Sequence, residues 1–169
     1  MRISVINGSP RKENTTFMVE AFRQGAEAAG HTVEEIRVGK LKIGGCMACE
    51  YCHGDGNGQC IQKDDWEKVR PAFTDSDMVV FASPIYYFAM TAQIQAAIQR
   101  MYCIMKPNAT KAALLLSSMS PDVYAGAIGT YKGILGFTGI EDMGIITAKD
   151  PENSSEELKQ QIIEFASKL

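Results

Sequence analysis

Two continuous apolar segments constrain the fold of this chain more than any other feature. They are DMVVFA at 77–82 and AALLL at 112–116. A strand without polar alternation needs cover on both faces, which is typical of a parallel sheet between two layers of helices. The same reasoning predicts strands at 3–6, 31–38 and 143–147, and helices at 15–29, from 64–65 onward, at 91–105, at 124–137 and after 154.

This alternation predicts five strand–helix units in an α/β fold. Right-handed crossovers leave few strand orders, and five parallel strands fit the flavodoxin-like order 2-1-3-4-5. We therefore expect one three-layer flavodoxin-like domain over residues 1–169, with ligands at the carboxyl ends of strands 1 and 3. Charges at Glu34, Glu35 and Arg37 place the second strand at or near a sheet edge. Ser154–Glu157 is expected to form a capping box for the last helix.

Charge and hydropathy exclude several classes of partner. The net charge is −3 and no long basic run occurs, so no nucleic-acid partner is expected. No apolar stretch has the length of a membrane span, and the first apolar run is too brief for a secretory signal. We therefore expect a cytoplasmic protein whose thiols stay reduced.

The loop after the first strand is an expected phosphate site. Its sequence, VINGSPRKENTT at 5–16, leads from a strand through a glycine turn into a helix. N–H groups at a helix start bind anions, and hydroxyls and an arginine add donors. The loop lacks both the Walker A and the Gly-x-Gly-x-x-Gly signatures, so it suits a mononucleotide. The alternative is a plain turn before a capped helix. The candidate ligands are Ser9, Arg11, Asn14, Thr15 and Thr16.

The loop after the third strand is an expected site for a flat ring. It reads SPIYYFAM at 83–90, with a stiffening proline and three aromatic side chains. Such a loop offers an isoalloxazine ring an apolar face and backbone hydrogen-bonding groups. The alternative is that the aromatics simply cover the end of the sheet. The candidate residues are Pro84, Ile85, Tyr86, Tyr87 and Phe88, joined by Ser117 and Ser118 after the fourth strand.

Gly-Ser-Pro-Arg-x-x-Asn-Thr-Thr and Ser-Pro-x-Tyr together resemble the NADPH-dependent FMN reductase family. With a cysteine loop between them, the chain resembles the iron–sulfur flavoproteins of that family. The resemblance implies FMN held by the two loops, the first on its phosphate and the second on its ring. It also implies a homodimer or homotetramer that exchanges electrons with a small-molecule or protein redox partner. NAD(P)H is a candidate donor. No pair of residues is expected to act as general acid and base.

Residues 44–62 form a cysteine-rich loop with the spacing Cys-x2-Cys-x2-Cys-x7-Cys, made by Cys46, Cys49, Cys52 and Cys60. Three thiols at this spacing can surround one side of a 4Fe–4S cluster while the remote fourth closes it. Zinc usually takes two separated Cys-x2-Cys pairs, and a reducing compartment disfavours disulfides. A metal-free reduced loop packed on a neighbouring subunit is the alternative. Cys103 is expected simply to be buried.

These features predict an FMN-dependent oxidoreductase or electron-transfer flavoprotein with a cluster on the cysteine loop. One alternative is an NAD(P)H-dependent FMN, quinone or nitro-compound reductase without a cluster. Another is a non-enzymatic flavodoxin-like module with a zinc- or redox-sensitive loop. Four glycines at 126, 129, 133 and 136 share one helix face. We expect them to allow tight packing inside the monomer, with a dimer contact as the alternative.

Overall fold

Five strands alternate with five helices in the computed structural model, which describes residues 1–169. The strands are β1 (Arg2–Asn7), β2 (Thr32–Ile36), β3 (Met78–Pro84), β4 (Lys111–Ser118) and β5 (Glu141–Lys149). The helices are α1 (Asn14–Ala28), α2 (Trp66–Thr74), α3 (Ala92–Arg100), α4 (Ala125–Thr138) and α5 (Glu156–Ser167). None of the helices combines the length and apolarity needed to cross a bilayer.

The strands form one parallel sheet in the order β2-β1-β3-β4-β5, which confirms the predicted topology. The charged strand β2 lies at an edge, as its composition predicted. Every residue of β3 is buried. Apolar cores cover both faces: α1 and α5 pack on one, and α2, α3 and α4 on the other. This three-layer arrangement explains why the central strands carry no polar alternation.

The carboxyl ends of β1, β3 and β4 lie side by side. The Gly8 N–H donates to the Ala82 carbonyl at 2.8 Å, and the Ile85 N–H donates to the Ser117 carbonyl at 2.8 Å. These bonds extend the sheet hydrogen bonding into the loops that follow the strands. The loops with the predicted phosphate and ring ligands therefore start at one edge of the sheet.

Two local predictions were wrong in part. The helix expected at 91–105 ends at Arg100 and continues as a single 3-10 turn at Met101–Cys103. Helix α5 is capped by Ser155, whose hydroxyl accepts from the Leu158 N–H at 3.1 Å. A capping box also needs a glutamate or glutamine three residues after the cap, whose side chain accepts from the N–H of the cap residue. That position is Leu158, so the second hydrogen bond cannot form.

The glycine face of α4 was also misjudged. Gly126 does pack closely, because a Cβ there would lie 2.5 Å from the Phe88 carbonyl oxygen. At Gly129, Gly133 and Gly136 no atom beyond the adjoining backbone of the helix lies within 4 Å of the Cβ position. Packing inside the monomer therefore accounts for one of these glycines, and the rest of the face is exposed.

Candidate functional site

A cleft of about 350 Å³ opens at the carboxyl ends of β1, β3 and β4. It brings together every predicted cofactor-binding residue except Thr16. The predicted residues in its lining are Ser9, Arg11, Asn14, Thr15, Pro84, Ile85, Tyr86, Tyr87, Phe88, Ser117 and Ser118. The lining also includes Glu13, Met119, Ser120 and Val123.

The start of α1 faces this cleft with free N–H groups. No side chain caps the helix, and its first ladder bond runs from the Phe17 N–H to the Glu13 carbonyl at 3.0 Å. The amides of Asn14, Thr15 and Thr16 precede that bond and have no partner within the helix. Uncapped amides at the positive end of a helix dipole are an anion site.

The β1–α1 loop holds its shape through short hydrogen bonds. The Asn7 Oδ1 accepts from the Ser9 N–H at 2.8 Å. The Ser9 hydroxyl then accepts from the Arg11 N–H at 3.2 Å and lies 3.0 Å from the Arg11 carbonyl. The Arg11 side chain is exposed and pairs with Glu13 at 3.2 Å. The backbone of the β1–α1 loop is therefore fixed, whereas the charged side chain of Arg11 lies in solvent.

Thr15 and Ser117 tie the helix start to the end of β4. Their hydroxyls share a buried hydrogen bond of 2.7 Å. Ser118 is engaged in a similar way, since its hydroxyl lies 2.6 Å from the Tyr124 hydroxyl. These contacts position three polar side chains along one wall of the cleft.

Thr16 lies outside the cleft. Its hydroxyl is 3.3 Å from the Arg11 carbonyl, so it braces the loop from behind. Arg37 does the same, donating to the Arg11 carbonyl at 3.0 Å and to the Thr16 hydroxyl at 3.5 Å. Arg37 was not predicted, because its role depends on a tertiary contact between the segment after β2 and the segment after β1.

The aromatic residues form a tight turn at the rim of the cleft. Tyr86 and Ala89 exchange backbone hydrogen bonds of 3.0 and 3.2 Å. Between them, Tyr87 and Phe88 both adopt left-handed φ values, 47° and 66°. The Tyr87 side chain is 99% exposed. Two non-glycine residues in this conformation are strained, and such strain tends to occur at functional sites.

Gly126 lets α4 support this turn. The Phe88 carbonyl accepts from the Ala127 N–H at 3.1 Å, and no side chain would fit at position 126 between them. The aromatic turn is therefore fixed at its base, while its side chains remain free to contact a ligand.

The four predicted metal ligands line a separate, smaller pocket. Cys46 and Cys49 are exposed, and Cys52 and Cys60 are partly buried. The enclosed volume is about 20 Å³, so the loop packs closely around the thiols. No group of three or more Cys, His, Asp or Glu side chains is arranged to bind a single metal ion. Cys103 is buried as predicted, and it also lines this pocket.

The backbone of the cysteine loop is bent at unusual positions. Ala48 and Glu50 take left-handed φ values of 51° and 57°, and among the loop glycines only Gly58 does so. The bend at Ala48 directs its N–H to the Cys46 Sγ at 3.4 Å. Burial raises the pKa of the Cys52 thiol. The left-handed bends of this glycine-rich loop therefore occur largely at residues other than glycine.

Asp64 connects this loop to the helices beneath it. Its carboxylate accepts from the Gly44 N–H at 2.9 Å and from the Trp66 N–H at 3.0 Å. It also pairs with Arg100 at 2.7 Å. Burial opposes its ionisation, but these three donors outweigh burial and hold the pKa of Asp64 below its usual range.

Comparison with known proteins identifies one family. The model of the NADPH-dependent FMN reductase family matches residues 1–149. An iron–sulfur flavoprotein of Archaeoglobus fulgidus is 37% identical over 102 residues, which are 60% of this chain and 46% of the relative. Iron–sulfur flavoprotein MJ0731 of Methanocaldococcus jannaschii is 32% identical over 108 residues, 64% of this chain and 54% of the relative. The chain thus spans about half the length of these relatives.

Solved structures share the fold at low sequence identity. RosB with a bound formylriboflavin phosphate intermediate superposes with a TM-score of 0.78 at 16% identity, covering 99% of this chain and 76% of RosB. An FMN-dependent NADH-azoreductase of Bacillus anthracis in complex with FMN gives a TM-score of 0.70 at 16% identity, covering 99% and 98%. These similarities establish the flavodoxin-like architecture.

Proposed function

The chain belongs to the NADPH-dependent FMN reductase family, and from this premise we propose that it is an FMN-dependent oxidoreductase. One observation carries the proposal: an uncapped helix start and an aromatic turn line the same cleft. The first suits a phosphate and the second a flat ring. A cleft filled by apolar side chains, or a helix start capped by a side chain, would offer neither a phosphate site nor a ring site.

The residues of the cleft fit FMN in their chemistry. The amides of residues 14–16 and the hydroxyls of Ser9 and Thr15 would hold the phosphate. Tyr86, Tyr87 and Phe88, with the backbone of Pro84 and Ile85, would hold the ring. Ser117 and Ser118 complete the polar wall between them. Glu13 also lines the cleft, but Arg11 lies 3.2 Å from it and offsets its charge.

Bound FMN supplies the hydride and single-electron chemistry, as is general for cofactor enzymes. The residues of the cleft would bind and orient the ring. No side chain in the lining is arranged as a general acid and base pair, which is consistent with hydride or electron transfer. NAD(P)H is the proposed donor, and a small molecule or protein the proposed acceptor.

Binding of FMN and riboflavin to the flavin-free protein tests this function. The two ligands share the ring, but only FMN carries the phosphate. We expect FMN to bind at least about a hundredfold more tightly, since charged hydrogen bonds contribute about 1.5–3 kcal/mol each. Oxidation of NADPH or NADH with a quinone acceptor then measures turnover. Equal affinity for the two flavins would show that the start of α1 does not bind the phosphate. No affinity for either flavin would overturn the proposed function.

For the cysteine loop we propose that Cys46, Cys49, Cys52 and Cys60 hold a 4Fe–4S cluster. Three observations support this: the four cysteines line one pocket, an N–H bond reaches the Cys46 Sγ, and a buried guanidinium in the pocket wall has two N–H groups without a partner. The second candidate is a reductase without a cluster, favoured by the absence of a preformed single-metal site. Iron and acid-labile sulfide in anaerobically purified protein distinguish the two. We place this chemistry in the cytoplasm, where thiols stay reduced.

We also propose that the protein is a homodimer or homotetramer in contact through the exposed face of α4. Gly129, Gly133 and Gly136 leave its backbone open, and the neighbouring Phe137 is 78% exposed. Bare backbone and an exposed aromatic side chain suit close helix packing between copies. Gly133→Arg should yield a smaller species in sedimentation. An unchanged mass would exclude this face.

A further inference from the structure

The wall of the cysteine pocket contains one buried cation. Arg100, the last residue of α3, is 1% exposed and lines the pocket together with the four loop cysteines. No lysine or second arginine contributes to this lining, and Glu50 is its only carboxylate. A fully buried charge requires a partner, because transfer out of water is costly.

Asp64 satisfies only part of the guanidinium. Nη1 donates to the Asp64 carboxylate at 2.7 Å and to the Gly44 carbonyl at 3.1 Å. The Arg100 Cζ also lies 5.7 Å from the centre of the Trp66 ring. Nε and Nη2 are buried and have no hydrogen-bond partner. A side chain placed solely to pair with Asp64 would not need to leave two charged donors free.

The sulfur atoms of the loop cysteines line the same pocket as Arg100 and are candidate acceptors for its free N–H groups. Glu50 is the one carboxylate of the lining that could also accept from Arg100, but it already accepts from the Tyr102 hydroxyl at 2.9 Å. The positive charge of Arg100 therefore lies in the wall of the pocket that the four thiols line.

We propose that Arg100 is the counter-cation of an anionic metal–thiolate group on Cys46, Cys49, Cys52 and Cys60, and that it sets the reduction potential of that group. This inference rests on the proposed role of the loop. Four thiolates around iron and sulfide carry net negative charge, and one-electron reduction adds one more negative charge. The guanidinium stays protonated throughout, so no proton is exchanged with it. A fixed positive charge then stabilises the reduced form more than the oxidised form.

Arg100 and Asp64 should consequently have opposite effects. Arg100→Met removes the positive charge and should make the midpoint potential more negative. Asp64→Asn removes the opposing negative charge and keeps the hydrogen-bonding shape, so it should make the potential more positive. If Arg100 and Asp64 only held the loop together, both variants would lose iron, and the two substitutions would not shift the potential in opposite directions.

Potentiometric titration of the anaerobically reconstituted protein, followed by electron paramagnetic resonance, tests the proposal. We expect Arg100→Met to shift the one-electron equilibrium by about tenfold, equivalent to about 59 mV. Arg100→Lys should stay close to the wild type because it retains the charge. The matched control is Arg23→Met on α1, a partly buried arginine outside the pocket. Circular dichroism and bound flavin verify the fold of each variant.

A second measurement keeps the proposal testable if iron is not retained. Co²⁺ titration of the iron-free protein reports thiolate binding through its charge-transfer absorption. We expect about tenfold weaker Co²⁺ binding in Arg100→Met than in the wild type. A wild type that binds Co²⁺ but never iron and sulfide would refute the cluster and leave the counter-cation intact. Equal potentials, or equal Co²⁺ affinities, in the wild type and Arg100→Met would overturn the role of Arg100.

Discussion

The cleft and the cysteine pocket are built in different ways. The cleft lies at strand ends that the sheet fixes, it measures about 350 Å³, and its walls are joined by buried hydrogen bonds such as Thr15–Ser117. The cysteine pocket lies within one long loop, encloses about 20 Å³ and has two exposed thiols. The two share no lining residue. The fold therefore preforms the first site, whereas the second resembles sites that an occupant helps to organise.

The largest expected effect tests whether the cleft is an anion site. Thr15→Glu places a carboxylate at the helix start where the phosphate would bind. Two charges about 4 Å apart repel by about 4 kcal/mol at an effective dielectric constant of 20, which is nearly a thousandfold in affinity. FMN titration by fluorescence quenching measures the loss.

Thr15→Val is the control for this substitution, because it removes the hydroxyl bond to Ser117 without adding charge. It should weaken FMN binding by about tenfold or less. If Thr15→Glu bound FMN like the wild type while remaining folded, the helix start would not be the phosphate site.

The second expected effect tests whether the two sites are independent. Cys49→Ala removes one of four ligands and should reduce iron to below about a tenth of the wild-type content, because a cluster of this kind needs four thiolates. Bound FMN should not change, since the two pockets share no residue.

Cys103→Ala is the matched control for Cys49→Ala. Cys103 lines the same pocket but stands outside the Cys-x2-Cys-x2-Cys-x7-Cys spacing. It should retain iron. Equal iron in all three proteins would exclude the four-thiol assignment, and loss of FMN together with iron would show that the sites are coupled.

The difference between the sites also explains what the sequence could predict. Apolar runs in β3 and β4 determined the sheet, and loops that follow parallel strands must meet at one edge, so the cleft could be read from strand order. Arg100 could not, because its partner Asp64 lies 36 residues away and only tertiary packing joins them. Thr16 was assigned to the cleft because a helix start does not reveal which of two adjacent threonines faces inward. The left-handed turn at Tyr87 and Phe88 could not be predicted either, because it contains no glycine.

The third expected effect concerns strain in the cleft. Tyr87→Gly should stabilise the protein by about 1 kcal/mol, because a left-handed conformation costs a non-glycine residue about 1–2 kcal/mol. It should also weaken FMN binding about fivefold through loss of the aromatic contact. Tyr87→Ala should weaken binding equally without the gain in stability. Urea unfolding of the flavin-free protein measures the stability of each variant apart from its affinity for FMN. If Tyr87→Gly were no more stable than Tyr87→Ala, the left-handed conformation of Tyr87 would not be strained.

The smallest expected effect concerns the loop anchor beneath the cysteines. The pKa of Asp64 is lowered in the folded state, so its ionised form contributes stability that is complete above its unfolded pKa of about 3.9 and is lost as the pH falls through the lower folded value. Asp64→Asn should therefore destabilise the metal-free protein by about 1 kcal/mol at pH 7, the difference between a charged and a neutral hydrogen bond. Below about pH 4 the difference should shrink, because protonated Asp64 resembles asparagine. Urea unfolding at pH 7 and at several pH values below about 4 measures this difference. A difference independent of pH would mean that Asp64 anchors the loop by shape and not by charge.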